Sequence, residues 1–232
     1  MNNHEWILRI TDKDRTKRIE KILSFVTKNH IIQNVLPTNS FPTTRPLSNI
    51  IIPAKIQKNK LTIMAHHDVF PGSSGFNDNS SGVVTLLKLQ DFLPDDVELV
   101  FTDGEERGGQ GCRYYLENYR RPVEAINIDV VGLGEKVFYE QYGKVCSYDI
   151  PKTLELFEHI PFSDSYILQN YKIPNILMLT GNQKECLIRN IFEAQHGGQN
   201  DGNIDLISES VMDKVFEHLT YMVEGNKSVV RL

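Results

Sequence analysis

Residues 61–82, LTIMAHHDVFPGSSGFNDNSSG, are where the reading of this chain starts. An apolar strand over 61–65 is closed by His66-His67-Asp68. A Gly/Ser/Asn loop carrying Asp78 follows, and a helix begins at Ser80 and runs to residue 92. Successive side chains of a strand point to opposite faces, so His66 and Asp68 share one face and His67 points away from them. An imidazole beside a carboxylate that orients it is the usual partnership behind a metal ligand. By itself the pair describes a hydrogen bond at a strand end equally well, so its meaning depends on what else the chain brings to the same place.

Downstream the unit recurs. Residues 97–102, VELVFT, form an apolar strand ended by Asp103-Gly104-Glu105-Glu106; a glycine-rich loop over 108–111 and a helix over 112–118 come next. Residues 125–128 are apolar again, and Asp129 stands at their end. Strand, loop, helix and strand at this spacing suit right-handed crossovers and predict an α/β fold. The expectation is a single domain over residues 1–232, with a central mixed, mostly parallel sheet flanked by helices. Open sheets of this kind hold ligands at the carboxyl ends of their strands, where His66, Glu105, Glu106 and Asp129 fall.

The remaining segments fit around that frame. Residues 15–29 set Ile19, Ile22, Leu23 and Val26 on one face, predicting an amphipathic helix that opens the domain. Residues 37–49 are a Pro/Thr/Ser/Asn-rich loop and 50–53 a strand. Beyond Asp129 we expect a strand or hairpin over 136–148, a short helix over 152–159, a buried strand over 173–179 and a closing helix over 207–223. A glycine-rich loop before that helix carries His196.

Composition narrows the function. The chain has 232 residues, 40% hydrophobic and 24% charged, an ordinary globular balance. A formal charge of −5 without any basic block argues against nucleic acid as a partner. The apolar runs are strand-sized, well short of a membrane span, and residues 1–15 lack the apolar stretch of a secretory leader. Cys112, Cys146 and Cys186 are odd in number and scattered, which suits reduced thiols. These features predict a cytoplasmic protein that acts away from membranes and nucleic acid.

His66, Asp68, Asp78, Glu105, Glu106, Asp129 and, by loop geometry, His196 converge at one sheet edge in this reading. So many carboxylates in one cleft would repel one another and take up protons unless cations lay among them. Imidazole mixed with carboxylate suits zinc or a neighbouring first-row ion such as cobalt or manganese better than calcium or magnesium. Three anionic ligands and a hydroxide offset the charge of two divalent ions, which fits a two-metal hydrolytic site. Which of Glu105 and Glu106 would bind metal is open on these grounds.

His66-x-Asp68, the loop Asn77-Asp78-Asn79-Ser80-Ser81-Gly82, Glu105-Glu106 with its glycines, Asn127-Ile128-Asp129, Ser163-Asp164 and a late His196 together resemble the co-catalytic zinc aminopeptidases. That family includes the bacterial leucyl-type aminopeptidases and, as relatives, the glutaminyl cyclases. The resemblance runs from about residue 49 to the carboxyl terminus. It implies that Asp78 bridges two zinc ions, that His66 and Asp129 complete one site, and that Glu106 and His196 complete the other. It further implies Glu105 as general base, Asp68 as the partner of His66, a cis Asp78–Asn79 peptide, and a peptide substrate cut at its amino terminus. Asp164 would support the cleft, although Ser165 stands where the family usually has histidine; Tyr166 is a candidate for substrate contact.

Two other functions compete. A glutaminyl cyclase would use one zinc on the same scaffold, but such cyclases resemble one another in a tryptophan before the last histidine, and this chain has Gln195 there and Trp6 as its only tryptophan. A metal-free interaction domain would be expected to have lost ligand positions that are all filled here.

Overall fold

The computed structural model describes residues 1–36, 46–56, 61–143, 146–158, 162–182 and 201–225. Eight strands, β1 (Ile31–Val35), β2 (Leu47–Ile52), β3 (Leu61–His66), β4 (Val97–Thr102), β5 (Glu124–Ile128), β6 (Lys136–Tyr142), β7 (Glu155–Leu156) and β8 (Asn175–Gly181), join in one sheet. Their order is β1-β2-β4-β3-β5-β8-β6-β7. The central pairs β3–β4, β3–β5 and β5–β8 are parallel, while β1–β2, β2–β4 and β6–β8 are antiparallel. The sheet is therefore mixed with a parallel centre, as the repeated unit predicts.

β3 and β4 are buried at every position, which requires cover on both faces of the sheet. Ile63, Ala65, Leu99, Phe101, Ile126 and Ile128 point to one side. There they meet α1 (Asn3–Ile10), α2 (Arg15–Phe25), α3 (Gly82–Leu89) and α6 (Glu209–Gly225) through Ile7, Ile22, Val84, Leu86, Val215 and Leu219. Ile51, Met64, Val100 and Ala125 point to the other side, against Cys112, Tyr115 and Leu116 of α4 (Gln110–Asn118) and Ile167 and Leu168 of α5 (Asp164–Asn170). Each fully buried Leu, Ile or Val removes enough apolar surface to contribute roughly 1.5–3 kcal/mol, so these two layers fix where the strand ends lie.

Several expectations need correction. The helix at Arg15 is preceded by α1, whose start is closed by a reciprocal cap between Asn2 and Glu5. β1 and α5 were not foreseen. Residues 152–158 form no helix: Leu154 closes a turn on Pro151, and Phe157 is drawn to β6, where its N–H bonds the Tyr139 carbonyl and its ring meets Phe138. Apolar residues three apart imitate a helical face, but here they anchor a two-residue strand. The helix expected from Ser80 starts at Gly82, because residues 76–81 form a wide turn containing the cis Asp78–Asn79 peptide. The closing helix starts at Glu209 rather than residue 207. Cys112 and Cys146 are free thiols, whereas Cys186, residues 37–45 of the expected loop, and residue 159 lie outside the described residues.

Candidate metal centre

Three strand ends build the centre. In the parallel register His66 of β3 lies beside Thr102 of β4, and Met64 pairs with Asn127 of β5, so the residues following β4 and β5 flank the His66 end of β3. The β3–α3 loop then folds back over that edge. Asn79 ties it down: its Nδ2 donates to the Ile128 carbonyl at 3.0 Å and its Oδ1 accepts the Gly82 N–H at 3.1 Å. Asn77 Oδ1 accepts the Gly132 N–H at 2.8 Å, and Ser81 Oγ accepts that of Val131 at 3.1 Å. The loop bearing Asp78 is thus stitched to the loop bearing Asp129. Directly after Asp129, Val130 has φ 48°, a left-handed conformation that a β-branched residue holds only when its surroundings enforce it.

This stitching sets His66 Nε2 3.0 Å from Asp78 Oδ1 and 3.3 Å from Asp129 Oδ1. One donor atom from each of these three buried residues lies within 4.8 Å of the others. The other ring nitrogen, Nδ1, is 3.2 Å from the Asp68 carbonyl and 3.4 Å from Asp68 Oδ1. His67 is buried on the opposite face, with Nε2 2.8 Å from the Ser48 carbonyl, as strand alternation predicts.

Asp68 does more than face His66. Its Oδ1 accepts the N–H of Glu105 at 3.1 Å and its Oδ2 that of Glu106 at 3.2 Å, so one carboxylate positions the backbone of both acids. Glu105 is buried, and Glu106 is partly so. Asp164 is buried beneath them, accepting the Thr102 hydroxyl at 2.5 Å. Tyr166, in the helix that Asp164 begins, is 49% exposed, and its ring sits against Phe162 at 5.6 Å. His196 lies outside the described residues.

Electrostatics distinguish the members. Burial, opposed by His66 and reinforced by Asp129, Asp164 and Asp68, lifts Glu105 well above the usual carboxylate range. Burial and the charge of Asp78 push Glu106 up to about 8. Asp164 rises to about 7, chiefly through burial against the Thr102 bond, and Asp129 is also raised by burial. Burial would raise Asp68 too, but the bond and charge of His66 hold it below its ordinary value. Conversely His66, despite burial, is held well above its ordinary value by Asp129, Asp68 and Asp78. A buried cluster in which Glu105, Glu106, Asp129 and Asp164 are all raised, and His66 is held up by the acids around it, is short of positive charge. The His66, Asp78 and Asp129 donors fit a divalent first-row ion in number, type and spacing.

Three contributors escaped the sequence reading. Arg18 of α2 is fully buried, donating from Nε to the His67 carbonyl at 2.6 Å and from Nη2 to Ser80 Oγ at 3.0 Å. Asp201 accepts backbone N–H groups from the Asp78 loop. Asn49 bridges the strand ends, accepting the Asp103 N–H at 3.0 Å and donating to the Gly111 carbonyl at 2.9 Å. Only Asn49 carried a signal, as a polar residue opening an apolar strand.

Comparison with known proteins follows the same lines. The model of peptidase family M28 matches residues 49–217. Among solved structures, a glutaminyl cyclase from Porphyromonas gingivalis is 17% identical, with 97% of each chain covered and a TM-score of 0.72. BSAP, a zinc aminopeptidase from Bacillus subtilis, is 21% identical over 78% of this chain and 50% of its own, with a TM-score of 0.63. An aminopeptidase from Aneurinibacillus sp. strain AM-1 is 21% identical over 77% of this chain and 47% of its own, with a TM-score of 0.57. The chain thus spans about half the length of either aminopeptidase, and at these identities the likeness is one of fold. No curated protein sequence matches the chain.

Proposed function

Since the chain belongs to peptidase family M28, we propose that it is a metal-dependent exopeptidase that removes amino-terminal residues from peptides. The observation that carries this reading is the convergence of His66, Asp78 and Asp129 within 4.8 Å, beside the buried Glu105 and the partly buried Glu106, whose backbone N–H groups both end on Asp68. His66, Asp78 and Asp129 would hold one zinc ion; Asp78 and Glu106, with His196, would hold a second. Such ions lower the pKa of water and polarise the scissile carbonyl.

The chain's own groups supply the rest. Glu105 takes a proton from the attacking water and delivers it to the departing amine, a role that its burial beside His66 and between the other acids of the cleft suits. Asp68 orients His66 through Nδ1 and, by accepting both backbone N–H groups, keeps Glu105 and Glu106 aimed at the same cleft. Asp164 lies near enough to Glu105 to help keep its proton affinity high.

A second reading, glutaminyl cyclisation with one zinc, draws support from the 97% coverage in both directions of the Porphyromonas gingivalis enzyme. Gln195, where the resemblance leads one to expect tryptophan in a cyclase, weighs against it. Metal analysis combined with an aminoacyl anilide and a glutaminyl peptide tests both. Two ions per chain with release of the anilide support the peptidase; one ion with cyclisation and no anilide release refutes it.

A further inference from the structure

We propose that Asp201 is a positioning residue of the metal centre: it grips the backbone of the loop presenting Asp78 and thereby sets how firmly the centre binds a divalent ion. Every backbone N–H from Gly75 to Asp78 ends on this one residue. Its Oδ1 accepts from Asn77 at 2.9 Å and Asp78 at 3.0 Å, its Oδ2 from Gly75 at 2.9 Å, and its carbonyl from Phe76 at 3.2 Å. The Ser73 hydroxyl is a further donor to Oδ2.

Asp201 is fully buried, so water cannot substitute for these bonds. Irregular backbone with this many inward N–H groups forms an anion-binding concavity, and here the anion is a side chain supplied from a distant part of the chain. The gripped residues are those that shape the centre. Asp78 meets His66 Nε2 at 3.0 Å, and Asn77 holds the loop that follows Asp129. Gly75 has φ 66°, and a Cβ there would come within 2.5 Å of Val69, so the first gripped position is one that only glycine fits. Release of the carboxylate therefore frees Asp78 from His66 and Asp129, while the first contacts of a bound ion remain chemically intact.

The inference rests on Asp78 being a metal ligand, and the experiment separates the two claims. Zinc affinity of the full chain is measured by competition with a chromophoric chelator for the wild type, Asp201→Asn and Asp201→Ala. Circular dichroism melts in chelator report metal-free stability. Asparagine keeps one oxygen for Asn77 and Asp78, so Asp201→Asn is expected to weaken zinc on the order of 10-fold and Asp201→Ala on the order of 100-fold. Unchanged zinc affinity in a folded variant whose metal-free Tm alone has fallen overturns the proposal, leaving Asp201 a clamp of the fold. If Asp201→Ala does not fold, Asp201→Asn decides by the same criterion. Failure of the wild type to take up zinc refutes the reading of Asp78, whereas tight wild-type binding matched by both variants refutes this inference alone.

Discussion

Replacing Asp68 by asparagine isolates the group that joins the imidazole to both acids. The carboxylate accepts N–H groups from Glu105 at 3.1 Å and Glu106 at 3.2 Å, and Oδ1 is 3.4 Å from His66 Nδ1. An amide of the same shape has one acceptor oxygen, so either orientation turns an NH2 group toward a backbone N–H. The donor left buried costs about 1–3 kcal/mol, and the surviving bond loses its charge assistance, adding about 1 kcal/mol. A net loss of about 3 kcal/mol in a chain of 232 residues corresponds to a fall in Tm of roughly 6–12 °C. The assay is thermal unfolding in chelator at pH 7, which removes any contribution from bound ions. Catalysis is expected to fall on the order of 10–100-fold, because His66 and both glutamates lose their common anchor. A variant melting within 1 °C of the wild type, or one with full activity, would show that the Asp68 bonds do not organise the site.

Further predictions address single roles. Glu105→Gln should keep its metal and lose at least about 100-fold in kcat, whereas Asp78→Ala should lose both; atomic absorption beside turnover checks the pair, and a full metal complement in Asp78→Ala contradicts its assignment. Burial lowers His67 to about 4 against the opposing bond to Ser48. The unfolded chain therefore binds the extra proton between about pH 6.5 and 4, so stability is fully present above that window and is lost as pH falls through it, by roughly 3 kcal/mol in all. His67→Gln should flatten this part of the stability curve relative to wild type, and parallel curves would refute the assignment. Arg18, lowered by burial to about 10, stays charged at neutral pH. Arg18→Met should destabilise by about 2–4 kcal/mol by stranding the buried His67 carbonyl and Ser80 hydroxyl, and Arg18→Lys should not restore a fork that reaches His67 and Ser80 together. Denaturant unfolding of both variants measures this.

The legible parts of the fold were those written in runs of apolar residues. β3, β4 and β5 are buried on both faces, so most of their residues are apolar and their carboxyl ends could be located to within a residue. With those ends came His66, Glu105, Glu106 and Asp129. β1, half exposed at the sheet edge, has no comparable run, and α1 is short, with its cap at the very start of the chain. Within the centre, short-range spacing pointed to the His66–Asp68 pair and the alternation of His67. Arg18 and Asp201 were invisible because their partners are 62 and 123 residues away in sequence, at Ser80 and Asp78. A polar side chain on an otherwise amphipathic helix, or in a glycine-rich loop, gives no hint that it is buried. Glu105 and Glu106 could be told apart only through the family resemblance, since both rise in pKa and both hang from Asp68.

The family match begins at residue 49, yet Ser80, two residues beyond Asp78, touches Thr11 at 3.1 Å and Arg18 at 3.0 Å. Asn3, at the head of α1, donates its N–H to the Glu209 carboxylate at 2.8 Å, closing the first helix onto the last. The border of kinship and the border of the working scaffold are therefore different lines. A gene shortened to the homologous stretch would encode all the proposed ligands and deliver them on a hinge without its brace.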